Sequence, residues 1–87
     1  MPYDVVLDGK SVDHDLKIMP DASRKKVLRA IYERLTVDPF GYGKPLSGRF
    51  KGLIRFRVGE WRVIYRIDGS RVLIRNIKLR RDAYKAW

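Results

Sequence analysis

The sequence predicts one small α+β domain in which a strand and two helices precede three antiparallel strands. Three observations lead to this prediction. The 87 residues are enough for one hydrophobic core but not for two. Apolar residues recur with a helical period before residue 38 and alternate with a period of two after residue 52. Turn-forming pairs separate these runs, so each run is one element of a single domain spanning residues 1–87.

The beginning of the chain is predicted to form a strand and then a helix. Residues 3–7 are rich in β-favouring side chains and are followed by the turn pair Asp8-Gly9, so they predict the first strand. Ser11 is a residue type that caps helix N-termini, and it precedes apolar residues with helical spacing. The apolar face of this first helix consists of Val12, Leu16 and Met19.

A second helix is predicted directly after the first. Pro20 ends the first helix, and Asp21 is the N-cap candidate for the next one. Charged side chains cover the rest of its surface, which is typical of an amphipathic helix packed beside a core. The two helices together favour an antiparallel hairpin. The apolar face of the second helix consists of Val27, Leu28, Ile31 and Leu35.

The second half of the chain is predicted to be a three-stranded antiparallel segment. Residues 38–45 are dense in glycine, proline and aspartate, so they predict an irregular connection. Residues 53–58 and 61–67 alternate between apolar and polar side chains, and residues 72–77 form a further β-favouring run. These strands complete one small sheet with the first strand, which gives the α+β class.

The composition excludes several classes of protein. The chain has no cysteine, so disulfides and thiolate metal sites are excluded. No apolar run approaches the roughly 20 residues of a membrane span, and the chain begins without the features of a signal peptide, so a cytoplasmic protein is expected. No acidic or histidine grouping has metal-ligand spacing, and neither a metal nor another cofactor is expected. The single histidine, His14, is expected on the surface of the first helix.

The positive charge is concentrated in one segment. The formal net charge is +10, and residues 1–43 hold equal numbers of basic and acidic side chains. The whole excess lies in residues 44–81, where Glu60 and Asp68 are the two acidic residues. This distribution predicts a surface that binds a polyanion. The alternative is a surface that serves solubility alone.

Arginines are predicted to meet on one face of the sheet. Gly59-Glu60 fits a two-residue hairpin loop, and this register places Arg57 opposite Arg62 and Arg55 opposite Ile64. Two neighbouring guanidinium groups repel by about 3 kcal/mol at an effective dielectric constant of 20, so an anion is expected to bind there. The alternative is that these arginines are the solvated side of a half-covered sheet.

The second turn leaves the position of Arg75 open. A two-residue loop at Asp68-Gly69 would place Arg75 opposite Arg62. A three-residue loop would instead pair Arg75 with Val63. Arg75 is therefore a weaker candidate for the arginine face than Arg55, Arg57 and Arg62.

Basic and aromatic side chains also follow the last predicted strand. Residues 78–84 read KLRRDAY, so several cations precede Tyr84. Arginine beside an aromatic ring suits phosphate contact and base stacking, the pattern of single-stranded nucleic-acid binding. The alternative is that Tyr84 and Trp87 close the core at the end of the chain.

Three segments together resemble a known family. They are KPLSG at residues 44–48, LIRFRVGEWRVIY at residues 53–65 and RRDAY at residues 80–84. Their order and spacing resemble the RelE branch of the RelE/ParE toxin superfamily, and the resemblance covers nearly the whole chain. Its most specific part is the basic strand that leads into Gly-acidic-aromatic-Arg-Val-Ile-Tyr. The resemblance implies the RelE-like fold of a leading strand, a two-helix hairpin and three antiparallel strands.

The resemblance also implies a function. Such a protein is the toxin of a type II toxin–antitoxin system, an endoribonuclease that enters the ribosomal A site, cleaves mRNA there and thereby inhibits translation. The 2′-hydroxyl attacks the adjacent phosphate without a metal ion and leaves a cyclic phosphate and a free 5′-hydroxyl. The implied partners are mRNA, the ribosome and a cognate antitoxin, and no membrane is involved.

The site residues follow by matching the family motifs to this sequence. Arg57 and Arg62 are expected to stabilise the phosphate, and Tyr84 to orient a base or assist protonation. Either Arg80 or Arg81 is expected to stabilise the leaving group. The predicted catalytic residues are Arg57, Arg62, Arg80, Arg81 and Tyr84. The predicted RNA-binding residues are Lys51, Arg55, Arg75 and Lys78.

Two departures from the family pattern concern proton transfer. Many relatives carry Gly-His or Gly-Lys before the last arginine, where this chain has Lys78-Leu79. Some relatives have lysine where this chain has Arg55 or Arg57. Arginine has a pKa above about 12 and is a poor general base, so the sequence leaves the proton acceptor unnamed.

Two other functions stay open at this point. A ParE-like inhibitor of DNA gyrase would not need Arg57, Arg62 and Tyr84 together. A basic RNA- or ribosome-binding module would need the charge but no catalysis. In the toxin interpretation, the antitoxin is expected to be an acidic, partly disordered segment that covers or distorts the arginine surface.

Overall fold

One mixed sheet and two helices form the domain. The structure is a computed structural model, and it describes residues 2–82. The helices and strands are β1 (Asp4–Leu7), α1 (Lys10–Ile18), α2 (Asp21–Ala30), β2 (Lys44–Pro45), β3 (Ile54–Val58), β4 (Trp61–Asp68) and β5 (Arg71–Leu79). None of the helices in this part of the chain is long and apolar enough to cross a membrane.

The sheet has five strands in the order β1-β5-β4-β3-β2. β1 is parallel to β5, and the other neighbours are antiparallel. The predicted α+β class and the three antiparallel strands are therefore confirmed. The prediction missed β2, because only two residues of the irregular connection, Lys44 and Pro45, pair with β3.

Both helices begin differently from the prediction. Ser11 does not cap α1, because Gly9 occupies the N-cap position and the Ser11 hydroxyl donates to Asn76 Oδ1 at 2.7 Å. Asn76 is buried, so its side-chain oxygen needs a partner from α1. Asp21 does not cap α2 either, since Pro20 is the N-cap residue and Asp21 begins the helix. The Asp21 carboxylate still lies at the positive end of α2 and pairs with Arg24.

The core lies between the helices and one face of the sheet. Three of the four apolar residues predicted on the second helix, Val27, Ile31 and Leu35, are fully buried, and Leu28 is partly buried. The last part of this predicted helix is a π-helical turn, Ile31–Leu35, that continues α2. From the sheet, the side chains of Phe56 and Tyr65 belong to the same core.

A buried tyrosine fixes the irregular connection. Tyr65 is fully buried, and its hydroxyl donates to the Pro39 carbonyl at 2.6 Å. Burial, together with the carboxylate of Asp38, raises the pKa of the Tyr65 hydroxyl well above its usual value. Gly43 passes so close to this hydroxyl that a side chain at position 43 would overlap it. The connection therefore depends on a hydrogen bond and on a glycine.

Helix α1 protects the open edge of β5 beyond the end of β1. Asp15 of α1 is only 1% exposed. Its carboxylate accepts a hydrogen bond from the backbone N–H of Ile77 at 2.9 Å and from Lys78 Nζ at 2.5 Å. The carboxylate thus satisfies an edge N–H group that would otherwise be buried without a partner.

Candidate nucleic-acid interface

The first hairpin has the predicted register. Val58 pairs with Trp61 around the Gly59-Glu60 loop, and Gly59 has a φ of +59°, which the first position of such a loop requires. Arg57 lies opposite Arg62, as predicted. Arg55 lies opposite Ile64, also as predicted. The alternation of β3 therefore directs these arginines to the face of the sheet opposite the helices.

The second hairpin differs from both predicted registers. Its loop is Gly69-Ser70, because Asp68 pairs with Arg71. A bulge follows in which Tyr65 pairs with Ile74 while Ile64 pairs with Asn76, and Arg75 is the extra residue between the two pairs.

Arg75 is therefore opposite neither Arg62 nor Val63, and both predicted positions are wrong. Its NH1 atom lies 3.7 Å from Asp8 Oδ2 at the end of β1. The bulge moves Lys78 into the position opposite Arg62. No turn signal in the sequence indicates this bulge, because it lies in the middle of two apolar runs.

Four arginines line one cavity, which we call the arginine cavity. It has a volume of about 360 Å³, and its lining residues are Arg55, Arg57, Arg62 and Arg80. They come from β3, from β4 and from the 3-10 turn Arg80–Asp82 that follows β5. The backbone N–H of Arg80 donates to the Glu60 carbonyl at 2.8 Å, which holds this turn beside the first hairpin.

Arg62 and Arg57 have different surroundings. Arg62 is only 5% exposed, and its NH1 atom donates to the carbonyls of Gly59 at 3.1 Å and Trp61 at 3.2 Å. Arg57, directly opposite, is exposed. Arg62 therefore stabilises the hairpin and adds charge to the cavity, whereas Arg57 offers its guanidinium group to a ligand.

Arg55 carries a donor that no residue in the described part of the chain satisfies. Its Nε atom is buried and meets no hydrogen-bond partner within residues 2–82. A buried donor without an acceptor costs about 1–3 kcal/mol, and more when the group is charged. An anionic oxygen that reaches this atom would remove the cost.

A wider cavity of about 640 Å³ extends from this site along the hairpin. Arg57, Arg62 and Arg80 also line it, and Arg81 and Glu60 join them there. Arg81 is mostly exposed, and its Nε atom lies 3.9 Å from Asp82 Oδ2. Of the two C-terminal arginines named by the sequence, only Arg80 lines both cavities.

Sequence reasoning missed Glu60 and Lys44 as members of this face. The sequence marks Glu60 as a turn residue and as the acidic position of the family motif, but the chemistry assigned to the site does not use it. Its loop position between two paired arginines places its carboxylate near them. Lys44 pairs with Arg55 across β2 and β3, so its side chain shares the face of Arg55. The period-2 pattern could not reveal Lys44, because β2 is only two residues long.

The other predicted RNA-binding residues do not line the arginine cavity. Lys78 pairs with Arg62 across β4 and β5, but its ammonium group is engaged with Asp15, with Nζ 2.5 Å from Oδ1. Lys51 is exposed and follows the 3-10 turn Gly48–Phe50, but it lines neither cavity. Tyr84 and Trp87 lie outside the described residues. Between residues 2 and 82, no three or more His, Asp or Glu side chains are grouped so that they could hold a metal ion.

A known protein family matches most of the chain. The model of the family described as "ParE toxin of type II toxin-antitoxin system, parDE" matches residues 10–84. The chain belongs to this family. The toxin is also 31% identical to Toxin RelE of Mycobacterium tuberculosis over 86 residues, which are 97% of this chain and 88% of that protein. The resemblance to RelE-type toxins is thereby confirmed.

Two solved complexes contain chains similar to this toxin. The toxin–antitoxin complex RelBE2 of Mycobacterium tuberculosis matches with a TM-score of 0.86 and 29% identity, over 92% of this chain and 100% of the other. The RelB–RelE antitoxin–toxin complex of Methanococcus jannaschii matches with a TM-score of 0.73 and 25% identity, over 94% and 99% of the two chains. The RelE-like fold predicted for the toxin is therefore confirmed along nearly its whole length.

Proposed function

We propose that this RelE-type toxin is a ribosome-dependent mRNA endoribonuclease that inhibits translation. The observation that carries the proposal is the arginine cavity, where four arginines from three elements converge. Arg55 adds a buried donor that finds no acceptor among residues 2–82. A phosphodiester supplies both the negative charge and the acceptor oxygens that this arrangement needs.

The arginines suit the transition state of phosphodiester cleavage. When a 2′-hydroxyl attacks the adjacent phosphorus, negative charge accumulates on the phosphate oxygens, and fixed cations favour this state over the ground state. We assign phosphate stabilisation to Arg57 and Arg62 and leaving-group stabilisation to Arg80. We propose that no metal ion takes part in this step, because the arginines supply the positive charge.

We assign the missing proton acceptor to Glu60. Within the described residues it is the carboxylate that lines the wider cavity with the arginines. The 2′ oxygen forms a bond to phosphorus and gives its proton to this carboxylate, while the bond from phosphorus to the 5′ oxygen breaks. The 5′ oxygen takes up a proton, for which the sequence offers Tyr84, and the products are a cyclic phosphate and a 5′-hydroxyl.

Glu60→Gln tests this assignment. General-base catalysis contributes about 10²- to 10⁴-fold to a rate, so the variant should lose cleavage on that scale. Its affinity for RNA should not fall, because a negative charge is removed from a polyanion site. Full cleavage by Glu60→Gln would contradict the assignment.

The proposed partners are mRNA, the ribosome and a cognate antitoxin, which places the toxin in the cytoplasm. The solved complexes of RelBE2 and RelB–RelE each pair a toxin with an antitoxin, which supports this partner. For this chain we propose an acidic antitoxin segment that covers the arginine cavity. Neutralising the four arginines would block the RNA site directly.

Short expression of the toxin, followed by mapping of 5′ ends on translated messages and a DNA-damage assay, tests the function. The proposal predicts codon-phased cuts and undamaged DNA. Arg57→Gln should abolish the cuts. Arg66→Gln is the matched control, because Arg66 is an exposed arginine that points to the same sheet face but lines neither cavity.

The second candidate function is inhibition of DNA gyrase. The observation that favours it is the family description, which names ParE. Intact messages together with DNA damage would support this candidate and contradict the nuclease. Intact RNA and intact DNA would instead favour a binding module without catalysis.

A further inference from the structure

A second basic surface lies on α2, outside the arginine cavity. A groove of about 380 Å³ runs between α2, the following π-helical turn and the end of β3. Its basic lining residues are Lys25, Lys26, Arg29 and Arg34, against one carboxylate, Glu33. We call this surface the α2 groove. Its excess of positive charge is local, because the first half of the chain has equal numbers of basic and acidic side chains.

The basic side chains of the α2 groove are exposed to solvent. None of the ion pairs found between residues 2 and 82 involves Lys25, Lys26 or Arg29. Arg24 on the same helix behaves differently, since its guanidinium group donates to the Leu16 carbonyl at 3.0 Å and pairs with Asp21. Arg24 therefore ties the two helices together, and the groove cations remain for an external anion.

The positions of these cations place them in one stripe. Lys25 and Arg29 are four residues apart and so lie on the same side of α2, with Lys26 beside them. Ala22 and Ala30 also line the groove. Their short side chains leave room for an extended polymer to approach the helix.

The α2 groove and the arginine cavity meet at the β3–β4 hairpin. Val58 lines the groove, while its neighbours Arg57 and Gly59 line the wider cavity. Gly59 carries no side chain, and a methyl group added there would lie only 3.7 Å from Lys26 Nζ. The ammonium group of Lys26 thus lies beside the hairpin, and positive charge continues around the edge of β3.

We propose that the RNA strand held in the arginine cavity continues around this hairpin into the α2 groove. There Lys25, Lys26 and Arg29 contact its phosphates. The proposal rests on the proposed function, because it needs RNA in the arginine cavity. A nucleic-acid backbone fits a continuous band of cations, since it presents a phosphate at every nucleotide whatever the sequence.

The test is the binding of two fluorescent single-stranded RNAs to the purified toxin, measured by anisotropy at several salt concentrations. One RNA has about 4 nucleotides and the other about 16, the range of site sizes known for compact single-strand binders. The variants are K25Q/K26Q, the charge-matched control K10Q/K17Q on exposed positions of α1, and Arg57→Gln. Circular dichroism of each variant checks that it is folded.

K25Q/K26Q should weaken binding of the long RNA by about tenfold. The salt dependence of binding should fall as well: the slope of log K against log salt should be smaller by about 1.4, because two phosphate contacts are lost. For the short RNA, the K25Q/K26Q variant should lose no more affinity than the K10Q/K17Q control does. The proposal would be overturned if the two double variants bound the long RNA with equal affinity and equal salt dependence. An equal loss for short and long RNA would overturn it as well.

The measurements on the Arg57→Gln variant distinguish a failure of this proposal from a failure of the proposed function. If Arg57→Gln weakens both RNAs while K25Q/K26Q matches its control, only the α2 path is wrong. If Arg57→Gln weakens neither RNA, the arginine cavity is not the RNA site, and the path that starts from it is wrong too.

Discussion

At the scale of single residues, the arginines of the sheet are not equivalent. Arg62 is buried against the hairpin carbonyls, and Arg57 is exposed. Arg55 has a buried Nε that meets no partner in the part of the chain that the structure describes. The alternating pattern predicted which side chains share a face, because alternation follows from backbone geometry. It could not predict these surroundings, since they depend on the bulge and on the turn that carries Arg80.

Arg55→Met is predicted to stabilise the free toxin. The change removes a buried charged donor that has no acceptor within residues 2–82 and keeps an unbranched side chain, so the free energy of unfolding should rise by about 1 kcal/mol. RNA binding should weaken in the same variant. Urea unfolding and RNA anisotropy measure the two effects. A variant that loses both stability and affinity would contradict this account of Arg55, and Arg66→Met controls for the general effect of the substitution.

Tyr65 is predicted to make the stability fall at alkaline pH. Its pKa is raised in the folded state by burial and by the carboxylate of Asp38, whereas the unfolded chain ionises this phenol near its ordinary value of about 10. The stabilisation is therefore complete below about pH 10 and is lost as the pH rises further.

The comparison with Tyr65→Phe isolates this effect from the other groups that titrate in the same range. The variant should lose about 1–2 kcal/mol at neutral pH, because the Pro39 carbonyl loses its donor. Urea unfolding between pH 8 and about pH 11 should show that the difference in free energy of unfolding between wild type and Tyr65→Phe shrinks as the pH rises. If this stability difference stayed constant across the range, Tyr65 would not be the cause of the alkaline loss of stability.

At the scale of elements, the hairpins show what the sequence could and could not predict. The first hairpin was predicted residue by residue, because Gly59 allows the loop conformation and both strands alternate clearly. The second was predicted wrongly, because neither of its strands signals the bulge beside Arg75. The start of α1 was also missed, since Ser11 satisfies Asn76 across the fold, a contact separated by 65 residues.

Asp15 is predicted to be essential for joining α1 to β5. Asp15→Asn keeps an acceptor for the N–H group of Ile77 but loses the ion pair with Lys78. Asp15→Leu also leaves that N–H group buried without a partner, so it should be less stable than Asp15→Asn by about 1–3 kcal/mol. Thermal and urea unfolding of both variants give this difference. Equal stability of the two would show that the N–H contact contributes nothing.

At the scale of the whole molecule, the two faces of the sheet have different roles. The face toward the helices buries the core, and the opposite face collects the arginines that give the toxin much of its charge of +10. The charge distribution along the sequence predicted such a surface, because the excess lies in the segment that forms β3, β4 and β5. It could not predict the α2 groove, whose cations are balanced in sequence by acidic residues elsewhere in the first half.

An acidic antitoxin is predicted to protect this face. If it covers the arginine cavity, amide hydrogen exchange at residues 57–60 and 80–82 should slow when the antitoxin binds, since these backbone groups frame the cavity. The measurement compares the free toxin with its complex. Unchanged exchange in both segments would place the antitoxin elsewhere and would leave the RNA site open in the complex.

The rate of mRNA cleavage by purified toxin on ribosomes that carry a defined message tests the central claim most directly. Wild type, Arg57→Gln and Arg66→Gln are compared at saturating ribosome concentration. If the arginine cavity stabilises the transition state, Arg57→Gln should be slower by about 10²- to 10³-fold, the usual loss for one such group, and Arg66→Gln should cleave at the wild-type rate. Equal rates for all three proteins would contradict the claim that this cavity cuts RNA.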